Sequence, residues 1–308
     1  MSRPDASAPY AAFLPAKYRS RLGEPPEHSH WQWRKHQIHL LRRPSKHAGV
    51  RLIVIHGAGV HASALWPFAA VLPRDTFDIA ALDLPLYGQT QTHSPATVRY
   101  QDWLDLLCDF VEAEDDGRPL ILLGASIGGM IAYEVAERSG LVTEVAATCL
   151  LDPRDKQVRA VLTRFGRLGL LAGALASTVR GPLARQPISM SAVAAMSKMS
   201  PDPRLGALCA SDRQGGGGKV PLGFLASFIT HRHTPPERAT TPLTLLHPGA
   251  DAWTPVEVSM PWFTRIAAPT RLVLLPEAGH FPIEEPGLES MLETLTTMAE
   301  SINAAEAS

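Results

Sequence analysis

The sequence ILLGASIGG at residues 121–129 runs from three large apolar residues into glycines that enclose a single serine. The apolar run at residues 120–123 is typical of a buried β-strand, and residues 127, 131 and 135 then recur at helical spacing. A turn this sharp forces a strained backbone on Ser126, and its neighbours must be tiny to avoid collisions. The Gly-x-Ser-x-Gly pattern in this context predicts a nucleophilic serine presented at the end of a strand.

A nucleophilic serine requires a base, and the base requires an acid that orients it. His280 lies in EAGHF at residues 277–281, between the last apolar run and the last helical pattern. Asp251 lies in GADAW at residues 249–253, just after the preceding apolar run and 29 residues before His280. The sequence therefore predicts Ser126 as the nucleophile, His280 as its general base and Asp251 as the orienting acid.

Asp152 is the alternative acid, because it also stands at the end of an apolar run, in CLLDP at residues 149–153. It leaves an earlier strand and is followed by a proline, which favours a turn-capping role. We expect Asp251 to serve His280, and Asp152 to anchor the chain that follows.

The oxyanion of an acyl-transfer intermediate needs preorganised donors near the nucleophile. The pattern HGAG at residues 56–59 ends the first long apolar run, and its glycines let the backbone approach a ligand closely. The amides of Ala58 and Ile127 are the predicted oxyanion donors. His56 is expected to fix this loop through hydrogen bonds and is also a candidate substrate-binding residue.

Short apolar runs alternate with helical patterns along the chain, which predicts an α/β fold with a mostly parallel sheet flanked by helices. The residues 31–43 favour one or two early antiparallel strands. Helical stripes begin at Tyr100 and again at Leu288. The later strands are predicted at Val50–His56, Phe77–Asp83, Leu120–Gly124, Val145–Asp152, Leu243–His247 and Arg271–Leu275.

The alternation stops between residues 154 and 238, where apolar helix-like segments follow one another without a convincing strand. Since strand patterns resume directly afterwards, we predict a helical cap at residues 154–238, inserted after the sixth strand into a core of residues 1–153 and 239–308. The cap is expected to favour apolar groups. The candidate substrate-binding side chains, besides His56, are Trp66, Met196, Met199, Phe224 and Phe228.

Composition excludes several classes of protein. The 308 residues carry 29 basic and 30 acidic side chains, so no overall field favours nucleic acid, and we expect a small-molecule substrate. Three scattered cysteines, no secretory leader and no long apolar run predict a cytoplasmic protein without a membrane span; the oligomeric state stays open. His231 and His233 lack further ligands at a recognisable spacing, so neither metal nor cofactor is expected.

These motifs together resemble the α/β-hydrolase fold superfamily, over roughly residues 48 to 300. The order HGAG, GASIGG, cap, GADAW and EAGHF is most similar to soluble esterases and monoacylglycerol-lipase-like serine hydrolases. The resemblance implies ester hydrolysis through an acyl-enzyme. Thioesters, lactones, amides, C–C bond cleavage and acyl transfer remain open, and a non-catalytic binding protein is the alternative of a different class.

Overall fold

The computed structural model describes residues 6–306, which contain ten β-strands and thirteen α-helices. The strands are β1 (Glu27–Trp33), β2 (His36–Arg43), β3 (Val50–Ile55), β4 (Phe77–Leu82), β5 (Leu120–Gly124), β6 (Glu144–Ala147), β7 (Pro187–Ser189), β8 (Lys219–Pro221), β9 (Leu243–Pro248) and β10 (Thr270–Leu275). The helices are α1 (Ala8–Ala11), α2 (Ala16–Arg19), α3 (Ala62–Ala70), α4 (Tyr100–Ala113), α5 (Ile127–Ser139), α6 (Lys156–Leu162), α7 (Ala172–Thr178), α8 (Gly181–Ala184), α9 (Met190–Val193), α10 (Pro203–Ser211), α11 (Leu222–Thr230), α12 (Met260–Phe263) and α13 (Gly287–Glu306).

Eight strands form one sheet in the order β1-β2-β4-β3-β5-β6-β9-β10. The β1–β2 and β2–β4 pairs are antiparallel, and all pairs from β4 to β10 are parallel. The predicted α/β-hydrolase architecture with a mostly parallel sheet is therefore confirmed. The parallel part places the carboxyl ends of six consecutive strands, β4, β3, β5, β6, β9 and β10, along one edge.

Helices cover both faces of the sheet, which explains why the central strands are apolar throughout. In β3, Ile53 and Ile55 belong to the core under α4 and α5. The alternate residues Leu52 and Val54 belong to the core under α3 and α13. The sheet is thus packed on two sides, and its carboxyl edge is left for a site.

The strand predictions hold with small shifts of their ends, except at β6. It ends at Ala147, whereas the sequence predicted a strand that runs to Asp152. The backbone of residue 148 still bonds to Gly124, but the amide of Leu150 then turns to the Ser259 hydroxyl, 3.0 Å away. The apolar residues after Ala147 are buried under loops. In the sequence, such a buried apolar run cannot be distinguished from a continuation of the strand.

The segment between β6 and β9 contains helices α6 to α11 together with β7 and β8, which form a separate antiparallel pair. The sequence predicted no strand here. Strands of three residues that each contain a proline show no detectable alternation, so this pair could not be recognised. Within residues 6–306, no helix is long and apolar enough to cross a membrane.

Candidate active site

Ser126 stands at the junction of β5 and α5 with φ 56° and ψ −127°, a conformation that side chains rarely adopt. Its amide donates to the Thr148 hydroxyl at 2.9 Å, which holds the turn against the end of β6. A Cβ at Gly129 would collide with the Cys149 carbonyl oxygen, and one at Gly128 would lie 2.5 Å from the Ile55 carbonyl oxygen. Small residues are therefore required for the helix to start this close to the sheet.

Ser126, His280 and Asp251 converge at the carboxyl edge of the sheet. His280 Nε2 lies 2.9 Å from Ser126 Oγ, and His280 Nδ1 lies 2.8 Å from Asp251 Oδ2. The His280 and Asp251 side chains are buried, and the indole of Trp253 packs on the imidazole with ring centroids 4.7 Å apart. In this arrangement the serine hydroxyl, the imidazole and the carboxylate form one hydrogen-bonded chain.

Thr254 and Cys149 complete this buried cluster, and the sequence analysis identified neither. The Thr254 hydroxyl donates to Asp251 Oδ2 at 2.8 Å and lies 3.1 Å from His280 Nδ1. The Cys149 sulfur is 3.4 Å from the same hydroxyl. The amides of Trp253 and Thr254 both donate to Asp251 Oδ1 at 2.8 Å, so each carboxylate oxygen has partners that hold its orientation.

The pKa values of the pair are shifted in opposite directions. Burial by itself lowers the pKa of His280, but the hydrogen bonds and charge interactions with Asp251 and Cys149 together outweigh burial, and the net shift is upward. Burial by itself raises the pKa of Asp251, but the hydrogen bonds to His280 and Thr254 and the charge of His280 together outweigh it, and the net shift is downward. The site therefore stabilises an imidazolium next to a carboxylate, which is the charge state that a proton transfer from Ser126 would create.

Two amides at the site have no hydrogen-bond acceptor among residues 6–306, namely those of Ala58 and Ile127. Both residues line the same cavity as Ser126. The Ile127 amide is also the first of helix α5, where the helix dipole favours negative charge. These donors are available to an oxygen atom bound next to the serine.

His56 braces the loop that carries Ala58. Its Nδ1 donates to the Gly57 carbonyl oxygen at 2.8 Å, and its Nε2 accepts from the Leu84 amide at 2.9 Å. Burial lowers the pKa of His56 to about 4, so its ring stays neutral. His56 does not line the cavity, which fits the bracing role and not the alternative of substrate binding.

A cavity of about 380 Å³ opens from Ser126 toward the segment between β6 and β9. Its wall is mostly apolar and includes two of the candidate substrate-binding residues, Phe224 and Phe228. The full set of lining residues is Ala58, Ser126, Ile127, Pro153, Arg159, Leu162, Thr163, Phe165, Leu168, Gly169, Ala172, Leu175, Met190, Val193, Ala194, Phe224, Leu225, Phe228, Ile229 and Trp253.

Three other predicted substrate-binding residues lie outside this cavity. Met196 and Met199 are buried in the core under α3 and α13, where the Met196 methyl group packs against Gly59. Trp66 is buried in the same core and borders a separate hollow near the first two helices. Met196 and Met199 belong to the segment between β6 and β9, whose apolar side chains can either pack inward or face the cavity.

Asp152, the alternative acid, makes no hydrogen bond to His280. Its Oδ1 accepts from the Arg154 amide at 3.0 Å in a local turn, and burial raises its pKa. This is the turn-capping position expected from the proline that follows. The geometry brings Asp251, and not Asp152, to the imidazole.

Comparison with known proteins agrees with this architecture. The profile described as "Alpha/beta hydrolase family" matches residues 52–289. Monoglyceride lipase from Saccharomyces cerevisiae superposes with a TM-score of 0.71 and 15% identity, covering 91% of this chain and 95% of that one. Monoacylglycerol lipase from Paleococcus ferrophilus superposes with a TM-score of 0.66 and 18% identity, covering 86% of this chain and 99% of that one. At these identities the likeness concerns the fold.

Sequence similarity to curated proteins is local. Human protein phosphatase methylesterase 1 is 33% identical over 108 residues, which are 34% of this chain and 28% of that protein. The uncharacterized hydrolase YugF of Bacillus subtilis is 32% identical over 101 residues, 32% of this chain and 36% of that protein. The matched part thus spans about a third of these relatives or less. With the profile match extending over most of its length, this chain belongs to the α/β-hydrolase family.

Proposed function

We propose that this protein is a serine hydrolase that cleaves carboxylic esters with an apolar acyl or alcohol group. The observation that carries the proposal is the contact of 2.9 Å between His280 Nε2 and Ser126 Oγ, continued by Asp251 on the other side of the imidazole. A serine is a nucleophile only when a positioned base removes its proton, and this geometry supplies the base.

In the proposed mechanism, Ser126 Oγ attacks the ester carbonyl carbon while His280 takes the hydroxyl proton. The Ala58 and Ile127 amides donate to the oxyanion that forms, each contributing about 3 kcal/mol in the transition state. The carbon–oxygen bond to the alcohol then breaks, and His280 returns the proton to the leaving alcohol. Water, deprotonated by His280, attacks the acyl-enzyme and releases the acid and Ser126.

The apolar cavity supports the proposed preference for apolar substrates. We assign residues 154–238 the role of a cap that forms most of its wall, with residues 6–153 and 239–306 as the described part of the hydrolase core. Burial of each methylene of a substrate chain contributes about 0.8 kcal/mol, so a longer chain should bind more tightly until the cavity is filled. The three free cysteines support a reducing, cytoplasmic location.

Hydrolysis of neutral p-nitrophenyl esters of graded chain length tests this proposal. We expect kcat/KM to rise from acetate to medium-chain esters, and Ser126→Ala to lower kcat by about six orders of magnitude while the protein stays folded. A p-nitrophenyl thioester and anilide in the same panel test the alternative bonds. Retention of a tenth of the activity by Ser126→Ala would refute the proposed nucleophile.

A further inference from the structure

The segment of residues 156–201 is strongly basic, although the whole chain is nearly neutral. It contains no acidic residue and seven basic ones, whereas the full chain has a net charge of −1. The near-neutral overall balance conceals this segment, and no local basic patch was expected from the sequence. The basic residues are Lys156, Arg159, Arg164, Arg167, Arg180, Arg185 and Lys198.

This basic segment forms a large part of the cavity wall, through α6, α7, α9 and the turns between them. Arg159 on α6 is the one charged residue among the lining residues; the other polar ones are Ser126 and Thr163. Arg159 is half-buried, and the buried part of a cation in an apolar wall is costly unless an anion or several acceptors compensate it. The question is therefore which group compensates Arg159.

The protein itself satisfies only one part of the Arg159 guanidinium. Its Nη1 donates to the carbonyl oxygens of Pro153 and Arg154, at 3.2 and 2.7 Å. Its Nε is buried and has no acceptor, and within residues 6–306 no hydrogen bond from Nη2 and no ion pair to a carboxylate is present. Nε and Nη2 form the edge of a guanidinium that binds a carboxylate with two parallel hydrogen bonds.

The guanidinium of Arg159 packs against the neighbouring helix at a glycine. A Cβ at Gly173 on α7 would lie 3.3 Å from the Arg159 Cζ, so a larger residue would crowd the guanidinium. Because Nε is buried, the side chain must shift before an oxygen atom in the cavity can reach the unpaired edge. The chain thus holds a partly unpaired cation in the same cavity that contains the proposed nucleophile.

We propose that the substrate carries an anionic group, such as a carboxylate, separated from the scissile ester by an apolar chain, and that Arg159 binds this group. The inference rests on the proposed function and specifies its substrate class. The apolar wall would hold the connecting chain, and the basic segment would attract the substrate before it enters.

A matched pair of esters tests the inference: the mono-p-nitrophenyl ester of suberic acid, and the same ester with the free carboxyl replaced by a carboxamide. The two probes have nearly the same size and differ in charge. We expect the wild-type protein to prefer the carboxylate probe by about tenfold or more in kcat/KM, because hydrogen bonds to charged groups are the strong ones. This preference should decline with added salt, since the steering is electrostatic.

Arg159→Gln should reduce the preference to near one, and Arg159→Lys, which keeps the charge but not the planar fork, should retain part of it. Arg164→Gln is the matched control, because it removes a cation from the same basic segment but from a residue that does not line the cavity. Equal turnover of the two probes by the wild type, or an undiminished preference in a folded Arg159→Gln, would overturn the inference.

A binding measurement separates this inference from the proposed function. In Ser126→Ala, calorimetry would compare monoethyl suberate with the ethyl ester of suberic acid monoamide. Tighter binding of the anion, lost on adding Arg159→Gln, would support the assignment of Arg159 even if the wild type hydrolysed neither p-nitrophenyl probe. Equal binding of the two would overturn it whatever the activity.

Discussion

The orientation of His280 depends on Asp251, whose two oxygens together accept hydrogen bonds from the imidazole, two amides and a hydroxyl. This is more support than a surface carboxylate has, and it holds Asp251 in its ionised form. An acid in this position stabilises the imidazolium without itself exchanging a proton. Its removal should therefore change the rate and the pH dependence together.

Asp251→Asn is expected to lower kcat by about four orders of magnitude, because the amide no longer stabilises the imidazolium and favours the wrong tautomer. The base form of His280 exists only above its pKa, so activity rises with pH through that pKa. Asp251 raises the pKa of His280, so this pKa should be lower in the variant. The acid limb of the pH profile of kcat/KM should therefore move to lower pH. Initial rates of p-nitrophenyl ester hydrolysis across pH measure both effects.

Asp152→Asn is the matched control for this prediction, because it removes a half-buried carboxylate from the loop that follows β6 in the same sheet. It should cost less than tenfold in kcat and leave the acid limb in place, with any loss appearing in the melting temperature. If the two variants reverse this order, Asp152 is the acid and the Asp251 loop is structural.

Contacts of single residues were the hardest part to anticipate from sequence. Ser126, His280 and Asp251 could be singled out as candidates because each follows an apolar run and belongs to a distinct motif, and the structure brings the three side chains into contact. Thr254 and Cys149 carry no such motif, and they meet only because β6 and β9 are neighbours in the sheet. Which hydroxyl or thiol joins a polar cluster depends on which strands are neighbours in the sheet. A single sequence does not show that strand order.

At the scale of elements, helix α5 starts unusually close to the strands that it follows. The glycine at its third position faces the Cys149 carbonyl oxygen, a backbone atom that cannot rotate away. Alanine is normally the better helix former by about 1 kcal/mol, so a helix position that requires glycine indicates a steric limit.

Gly129→Ala should therefore lower the free energy of unfolding by about 3 kcal/mol, since the added methyl group must displace the backbone near the turn at Ser126. Gly140 at the other end of α5 is the control, because its Cβ would have open space and only a φ of 66° opposes substitution. Gly140→Ala should cost about 1 kcal/mol. Urea denaturation measures the free energy of unfolding of both variants. Equal decreases in the two would contradict steric crowding at the start of α5.

The apolar runs gave reliable strand positions wherever a strand is covered by helices on both faces, as in β3 and β5. They failed where burial came from loops, as beyond Ala147, and where strands were only three residues long. The prediction of a cap at residues 154–238 rests on the interruption of the pattern. Which apolar side chains of residues 154–238 face the cavity could not be predicted. Phe224 and Met196 are both large and apolar and lie in similar sequence surroundings, but Phe224 lines the cavity and Met196 is buried in the core under α3 and α13.

For the whole molecule, the proposed chemistry depends on one contact between distant parts of the chain. Residues 154 positions apart, Ser126 and His280, are brought to a single hydrogen bond by the order of the parallel strands. The inserted segment then supplies a mostly apolar cavity over the serine, with Arg159 as its one charged lining residue. If Ser126 is not activated, the proposed chemistry disappears.

Labelling by an alkyl fluorophosphonate, followed by peptide mass spectrometry, tests this contact most directly, because the reagent phosphonylates serines that an adjacent base has activated. We predict one adduct, on Ser126, which is lost in Ser126→Ala and falls by at least a hundredfold in rate in His280→Ala. The Asp152→Asn protein should label at the wild-type rate. No adduct on a folded wild-type protein, or an adduct on another residue that persists in Ser126→Ala, would contradict the account.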